Sequence, residues 1–280
     1  MVQLPGMELC DSHCHIQSVG LSGGEAATRE LWAKAGNTSP DDVIGRAREA
    51  GVTRLVCVGC DLEDSILAVN FVKDRENCWA SVGIHPHESK RYVTDKTARR
   101  SFRELLGKPK VVAIGECGLD YFYTHSTKED QVALLRFQIE LALEYNLPVI
   151  FHVREAFRDF WPVFEEYQRG GQRIRGVLHS FTDTQANLDR ALSHGLYIGV
   201  NGIATFTKKP EQQAVYRAIP EDHLLLETDA PFLTPVPYRG TICEPYHIRT
   251  VAEFLTGQRS TTISVLAAAT TRNARHLFGI

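Results

Sequence analysis

The sequence predicts an α/β fold, a single (β/α)8 TIM barrel spanning residues 1–280. Three observations point there. Short apolar runs recur along the whole chain, at residues 8–11, 54–58, 79–82, 111–114, 149–151, 176–178, 196–200 and 224–226. Helical patterns fill the intervals, the alternation that builds a parallel sheet. No Ser- or Pro-rich linker divides the chain, whose length is close to the roughly 250 residues of one barrel. A doubly wound open sheet shares this alternation, and strand count alone leaves it open.

The runs are nearly continuous in Val, Ile, Leu and Cys, as suits parallel strands covered on both faces. After the first run comes a long connection, residues 17–39, rich in Gly, Ala and Ser. A helix over residues 40–50 follows, with Ser39 as N-cap, Pro40 at its first position, Asp41 and Asp42 in its first turn and Gly51 as its stop. Beyond the fourth run, Ser126 and Glu129 form a capping box. The helix it opens carries Val132, Leu135, Ile139 and Ala142 on one stripe and stops near Asn146, because Pro148 cannot continue it. Thr182 and Gln185 repeat the capping box after the sixth run. A second long, proline-containing connection, residues 234–245, follows the eighth. In a barrel both long connections sit on the C-terminal rim, where loops of this length are commonly functional.

Composition narrows the function. With 31 basic and 34 acidic residues the net charge is −3, which excludes a global basic field for coating nucleic acid. No apolar run approaches the roughly 20 residues of a membrane helix, so no membrane partner is expected. Residues 1–8 lack the basic and apolar regions of a signal peptide. The seven cysteines are odd in number and mostly within apolar runs, which reads as reduced thiols in a cytoplasmic protein. Cys57 and Cys60 form C-x-x-C without a second pair at zinc-ribbon spacing, and core packing is the expected role. A monomer is expected.

Polar residues interrupt the pattern at one kind of place. His13 and His15 follow the first run, and in extended chain such i, i+2 side chains face the same way, about 6.6 Å apart. Glu116 follows the fourth run, His152 the fifth, His179 the sixth and Asp229 the eighth. A lone histidine at a strand end is more often a hydrogen-bonded core side chain than a ligand. Here four histidines and two carboxylates terminate five strands at the same end, and in a barrel those ends ring one mouth. Six ligand-type groups exceed the three protein ligands usual for one catalytic zinc and suit two divalent ions, with Glu116 as the bridge. The donors accept Mg, Mn or Zn, among others, and do not choose.

These residues carry a resemblance. Asp-Ser-His-Cys-His (11–15), Gly-Ile-His-Pro-His (83–87), Gly-Glu-Cys-Gly-Leu-Asp-Tyr (115–121), Phe-His-Val-Arg (151–154), His-Ser-Phe (179–181) and Glu-Thr-Asp-Ala-Pro (227–231) resemble the TatD family of metal-dependent deoxyribonucleases. The blocks come in the family's order across nearly the whole chain. The resemblance implies a TIM-barrel metallohydrolase that cleaves phosphodiesters in DNA, often as a 3′–5′ exonuclease, with the same six ligands. One departure is visible: Cys243-Glu244-Pro245 stands where the family usually has Asn before Glu-Pro, on a loop expected to shape substrate entry.

The roles expected on this basis are specific. Asp229 ligates one ion with His13 and His15 and orients or deprotonates water; His152 and His179 hold the second ion; Glu116 lies between. Glu227 and Asp120 are candidate orienters of the ligands. His85, beside His87, and Arg154 are candidate substrate contacts, and Lys208, Lys209 and Arg239 are candidate sources of local positive charge. Tyr121, Phe122 and Tyr123 can stack a base, although packing under a loop is the expected role. Other esters or amides remain open as substrates, including D-aminoacyl-tRNA and lactones. Related barrels acting on amides, lactones or phosphotriesters often bridge their metals with a modified lysine on the fourth strand, where this chain has Glu116, its nearby Lys110 preceding the apolar run.

Overall fold

The computed structural model describes residues 7–21, 24–36, 38–169 and 171–280. Residues 1–6, on which the absence of a leader was largely read, lie outside the described residues. The strands are β1 Leu9–Cys14, β2 Val52–Val58, β3 Cys78–Val82, β4 Val111–Asp120, β5 Val149–Arg154, β6 Gly176–Leu178, β7 Tyr197–Val200 and β8 Leu224–Leu226. They form one eight-stranded sheet in sequence order, parallel throughout. β8 returns to β1 through a parallel bridge, Cys14 to Ala230, so the sheet curls into a barrel and the open-sheet alternative falls. The predicted strands are all present. β1, β4 and β5 run further than their apolar runs, carrying His13, Glu116 and His152 inside strands.

Side chains on one face of the sheet pack against the helices, and those on the other, including Cys10, Val56, Val112, Ile150, Val177 and Leu225, fill the barrel. Leu277 and Phe278, at the end of the helix Ile263–Phe278, join this inner cluster. Thr271 of that helix donates to Glu8 O at 2.8 Å, just before β1, so the helix closes the N-terminal end and leaves the other end for chemistry.

The helix Pro40–Glu49 has the expected N-cap, Ser39, which also forms a capping box with Asp42. Two other caps differ from expectation by one or two residues. Thr127, not Ser126, caps Lys128–Tyr145, and Thr184, not Thr182, caps Gln185–Ser193. Ser126 instead spends its hydroxyl across the loops, accepting from Lys90 N and donating to His87 O. A hydroxyl cap needs only a free amide two or three residues on, and neighbouring Ser or Thr residues with an acid or amide side chain three places on offer the same local signal. Asn146 ends the long helix in a left-handed conformation, and the chain leaves the helix before Pro148. The connection 17–39 is partly helical, containing Ala26–Lys34, whose Trp32 donates to His15 O.

The loop after β8 is pinned at its end. Glu244 receives both Nε and Nη2 of Arg46 at 2.7 and 3.1 Å, and Cys243 is fully buried. His247, also fully buried, accepts the Glu244 amide on Nδ1, while no described residue pairs with its Nε2. Burial lowers its pKa to about 4. The unfolded chain therefore binds a proton near pH 6.5 that the folded chain refuses until about pH 4. Stability should fall by up to about 3 kcal/mol as pH drops through that window. His247→Gln should flatten this acid limb in urea titrations at pH 6.5 and 4.5; an unchanged slope would count against it.

Candidate metal centre

The mouth of the barrel is built where strands stop pairing. Asp11, on β1, reaches across to the segment after β8. Its Oδ1 accepts the amides of His13 and Thr228 at 3.2 and 3.0 Å, and its Oδ2 accepts the Thr228 hydroxyl at 2.5 Å. Two more bonds complete the clasp: Asp229 N donates to His13 O at 2.8 Å and His15 N to Ala230 O at 2.7 Å. This seam holds His13, His15 and Asp229 in one corner. Burial raises the Asp11 pKa to about 7 against the pull of these bonds.

Across the mouth, Gly118 of β4 lies against β5. A Cβ there would stand 1.8 Å from His152 O, so only glycine permits the two strands to approach beside the histidine. Gly199 of β7 does the same for Glu227, whose carboxylate would be 2.3 Å from an added Cβ. The space lets Glu227 Oε1 reach to 2.9 Å from His179 Nδ1 and accept Ser180 N at 2.7 Å.

The six predicted groups meet. His13 Nε2 lies 3.2 Å from His15 Nε2, 3.3 Å from Glu116 Oε2 and 3.5 Å from Asp229 Oδ1. His15 Nε2 is 3.3 Å from Asp229 Oδ1. The other oxygen of Glu116 is 2.7 Å from His152 Nδ1 and 3.6 Å from His179 Nε2. Glu116 thus turns one oxygen to each side of the cluster.

The donor set fits divalent cations. Ligand atoms of His13, His15 and Asp229 lie within 4.8 Å of one another, as do those of His85, Glu116 and His152. Cation–donor bonds near 2.1 Å place neighbouring donors roughly 3.0–3.4 Å apart, close to the separations around His13 and His15. Two neutral imidazole nitrogens do not approach to 3.2 Å lone pair to lone pair without a proton or a cation between them. His13 Nδ1 is buried with no described partner.

Electrostatics agree. Burial pushes the His179 pKa down, but Glu227 and Glu116 outweigh it and raise the group to about 10. His15, beside Asp229, and His152, bonded to Asp120 and Glu116, are raised against burial to about 9. Burial raises Glu116, yet His179, His13 and His85 hold it well below the usual carboxylate range. Asp229 is held low against burial by His15 and His179. A cation held by these rings would displace their protons, because a ligating imidazole must surrender one.

Orienting groups stand behind the donors. Asp120 Oδ2 is 3.2 Å from His152 Nε2 and 3.0 Å from His87 Nε2. His15 Nδ1 meets Val58 O at 2.8 Å, which directs Nε2 into the cluster. Sequence reasoning had named Asp120 and Glu227 but missed Asp11, Gln17 and Asp64. Gln17 donates to Val58 O and Asp64, and Asp64 accepts Cys60 N, a buried brace behind His15. Asp64 also lies in the first turn of a helix whose N-cap is Asp61, so in sequence it reads as a helix-start acid.

His85 joins the cluster in a different capacity. Its Nδ1 accepts the His87 amide at 3.2 Å, so the neutral ring carries its proton on Nε2, 3.6 Å from Glu116 Oε1. Burial keeps its pKa well below the ordinary value, hence neutral. Arg154 is exposed at the rim, Cζ 3.9 Å over the Phe122 ring. Lys208 and Lys209 are exposed, whereas Arg239 is tied to Thr234 O and stacked on Phe206.

Both cysteines of the C-x-x-C pair are buried, as expected of core, and Cys60 Sγ also stands 3.9 Å from both His15 Nδ1 and Glu116 Oε2. One expectation needs correction. Of the three aromatic residues expected to pack under a loop, only Tyr121 is half-buried, donating to Asp159 Oδ2, while Phe122 and Tyr123 are exposed. Lys110 donates to the carbonyls of Val72, at the end of the helix Leu62–Val72, and of Arg75 and Glu76 on the loop leading into β3, away from the cluster.

Comparison with known proteins accords with this geometry. The family model described as TatD related DNase matches residues 10–279. The Bacillus subtilis protein named uncharacterized metal-dependent hydrolase YabD is 34% identical over 272 residues, 97% of this chain and 99% of that one. The Escherichia coli 3′-5′ ssDNA/RNA exonuclease TatD is 35% identical over 247 residues, 86% of this chain and 93% of that one. The crystal structure of the TatD homolog YJJV from Escherichia coli superposes with a TM-score of 0.83 at 26% identity, covering 97% of this chain and 98% of that one. Among the described residues no helix is long and apolar enough to cross a membrane. On the strength of a match that runs from β1 to the last helix, this chain belongs to the TatD related DNase family.

Proposed function

We propose that this chain, a metal-dependent hydrolase of the TatD family, cleaves phosphodiester bonds in DNA, as a 3′–5′ exodeoxyribonuclease with two divalent ions. The observation that carries the reading is the convergence of His13, His15, Glu116, His152, His179 and Asp229 around the two oxygens of Glu116. Names of relatives that act on single-stranded DNA and RNA support the substrate class.

His13, His15 and Asp229 would hold one ion and His152 and His179 the other, with Glu116 shared. When bound, such ions supply Lewis acidity toward a phosphoryl oxygen and bring the pKa of water toward neutrality. The residues do the rest. Asp229, the most exposed of the carboxylates at 16% of its side chain, orients the attacking water and takes its proton. Asp120 and Glu227 fix the rings of His152 and His179. His85 directs a neutral Nε2–H toward the phosphate or leaving oxygen, and Arg154 pairs with a phosphate at the rim. Glu116 takes the central place in the cluster and, among the described residues, no lysine joins it, which argues against the amide, lactone and phosphotriester alternatives.

The deciding experiment strips purified protein with chelator and restores Mg, Mn or Zn. Substrates are 3′-labelled single- and double-stranded DNA, a D-aminoacyl-tRNA and a panel of lactones and amides. Metal-restored release of mononucleotides from DNA is expected. Turnover confined to the tRNA ester or the lactones, or DNA cleavage indifferent to chelation, would reject the reading.

A further inference from the structure

The loop after β4 leaves two large aromatic side chains in solvent beside the mouth. Phe122 and Tyr123 are 49% and 44% exposed. Leu21, Val236 and Tyr238 are also exposed on loops after β1 and β8, whereas Ile66 and Val265 are exposed on helices. Two adjacent exposed aromatic rings beside a polar mouth mark a binding surface more often than a packing fault.

The aromatic pair is held to the site itself. The amides of Phe122 and Tyr123 donate to Asp120 Oδ1 at 2.9 and 3.1 Å. The other oxygen of that carboxylate lies against His152 and His87. The Tyr123 ring meets His87 edge-on, with centroids 5.4 Å apart. Arg154, two residues beyond His152 on β5, stands 3.9 Å over Phe122 and 5.1 Å from the Tyr123 ring. Two half-exposed rings, set edge to face with centroids 4.7 Å apart, and an exposed guanidinium over one face of Phe122 thus keep a fixed place relative to a candidate ligand.

Resting on the nuclease reading above, we propose that Phe122, Tyr123 and Arg154 form a subsite for an unpaired nucleobase next to the scissile phosphodiester, so that the strand must be single where it enters. Every base has a π face, which makes such stacking indifferent to sequence. A paired base has both faces covered by its neighbours and offers none to a ring. Arginine suits the third position because its planar group both stacks and pairs with phosphate.

The test uses a single-stranded oligonucleotide with a phosphorothioate 3′ linkage and 2-aminopurine as its penultimate base. The metal-loaded protein should quench the 2-aminopurine fluorescence, and the same sequence in duplex should not be quenched. Phe122→Ala/Tyr123→Ala should abolish the quench and weaken binding roughly ten- to a hundredfold. Tyr123→Trp in the Phe122→Ala background should restore both. In kinetics, an abasic penultimate residue should reduce kcat/KM of the unaltered protein by the same factor and that of the double variant no further. Unchanged quenching and affinity in the double variant would overturn the subsite while leaving metal-dependent cleavage intact. Quenching that depends on both rings, in a protein that cleaves no nucleic acid with any metal, would instead uphold base binding and sink the nuclease reading.

Discussion

Glu116→Gln should lower kcat/KM on DNA by about 10³-fold or more, the scale of removing a buried charge that organises a reaction centre. The carboxylate is 4% exposed and lies within 3.6 Å of nitrogens from His13, His85, His152 and His179. Glutamine keeps the shape but removes the negative charge and turns one oxygen into a donor. The four rings then lose the negative charge they share, and His152 and His179 lose part of what raises their pKa. Bound metal per chain, by elemental analysis, should fall with the activity. The barrel should survive, because the imidazoles can shed their protons when the charge that favours them is gone. A variant within tenfold of the parent, carrying a full complement of metal, would refute the bridging role.

Asp229→Asn should reduce kcat by roughly 10²- to 10⁴-fold, the usual yield of a positioned base, with KM little changed. The position makes this a clean substitution. Asp229 has φ of 62°, the left-handed region that asparagine tolerates better than other side chains with a Cβ. The seam bond from its amide to His13 O uses backbone alone and is unaffected. The thermal midpoint should therefore stay close to the parent's. A drop in kcat/KM carried by KM alone, or an unchanged rate, would remove Asp229 from proton transfer. Asp229→Ala is the poorer test, since alanine strains the same backbone and confounds folding with chemistry.

The eight strands were legible because a buried parallel strand writes its burial into consecutive Val, Ile, Leu and Cys, a signal that needs only near neighbours. The six donors were legible because each follows such a run, and barrel topology sends all strand ends to one side. Helix caps were less legible: Thr127 and Thr184 compete with adjacent residues of the same chemistry. The solvent exposure of Phe122 and Tyr123 was not readable, since it depends on Asp120 turning the loop outward.

By itself, then, the sequence determined the order of strands and helices and which side chains arrive at the mouth. Tertiary structure alone decided what each of them faces. Asp11 and Thr228 meet across 217 positions, and His152 and Glu116 across 36. So too the proton on His85 Nε2 follows from a turn, and the approach of Glu227 to His179 from a missing Cβ on β7. Local pattern is set by backbone sterics and burial of neighbouring residues. Charge, tautomer and ligand geometry are set by contacts between distant strands, which exist only once the barrel has closed.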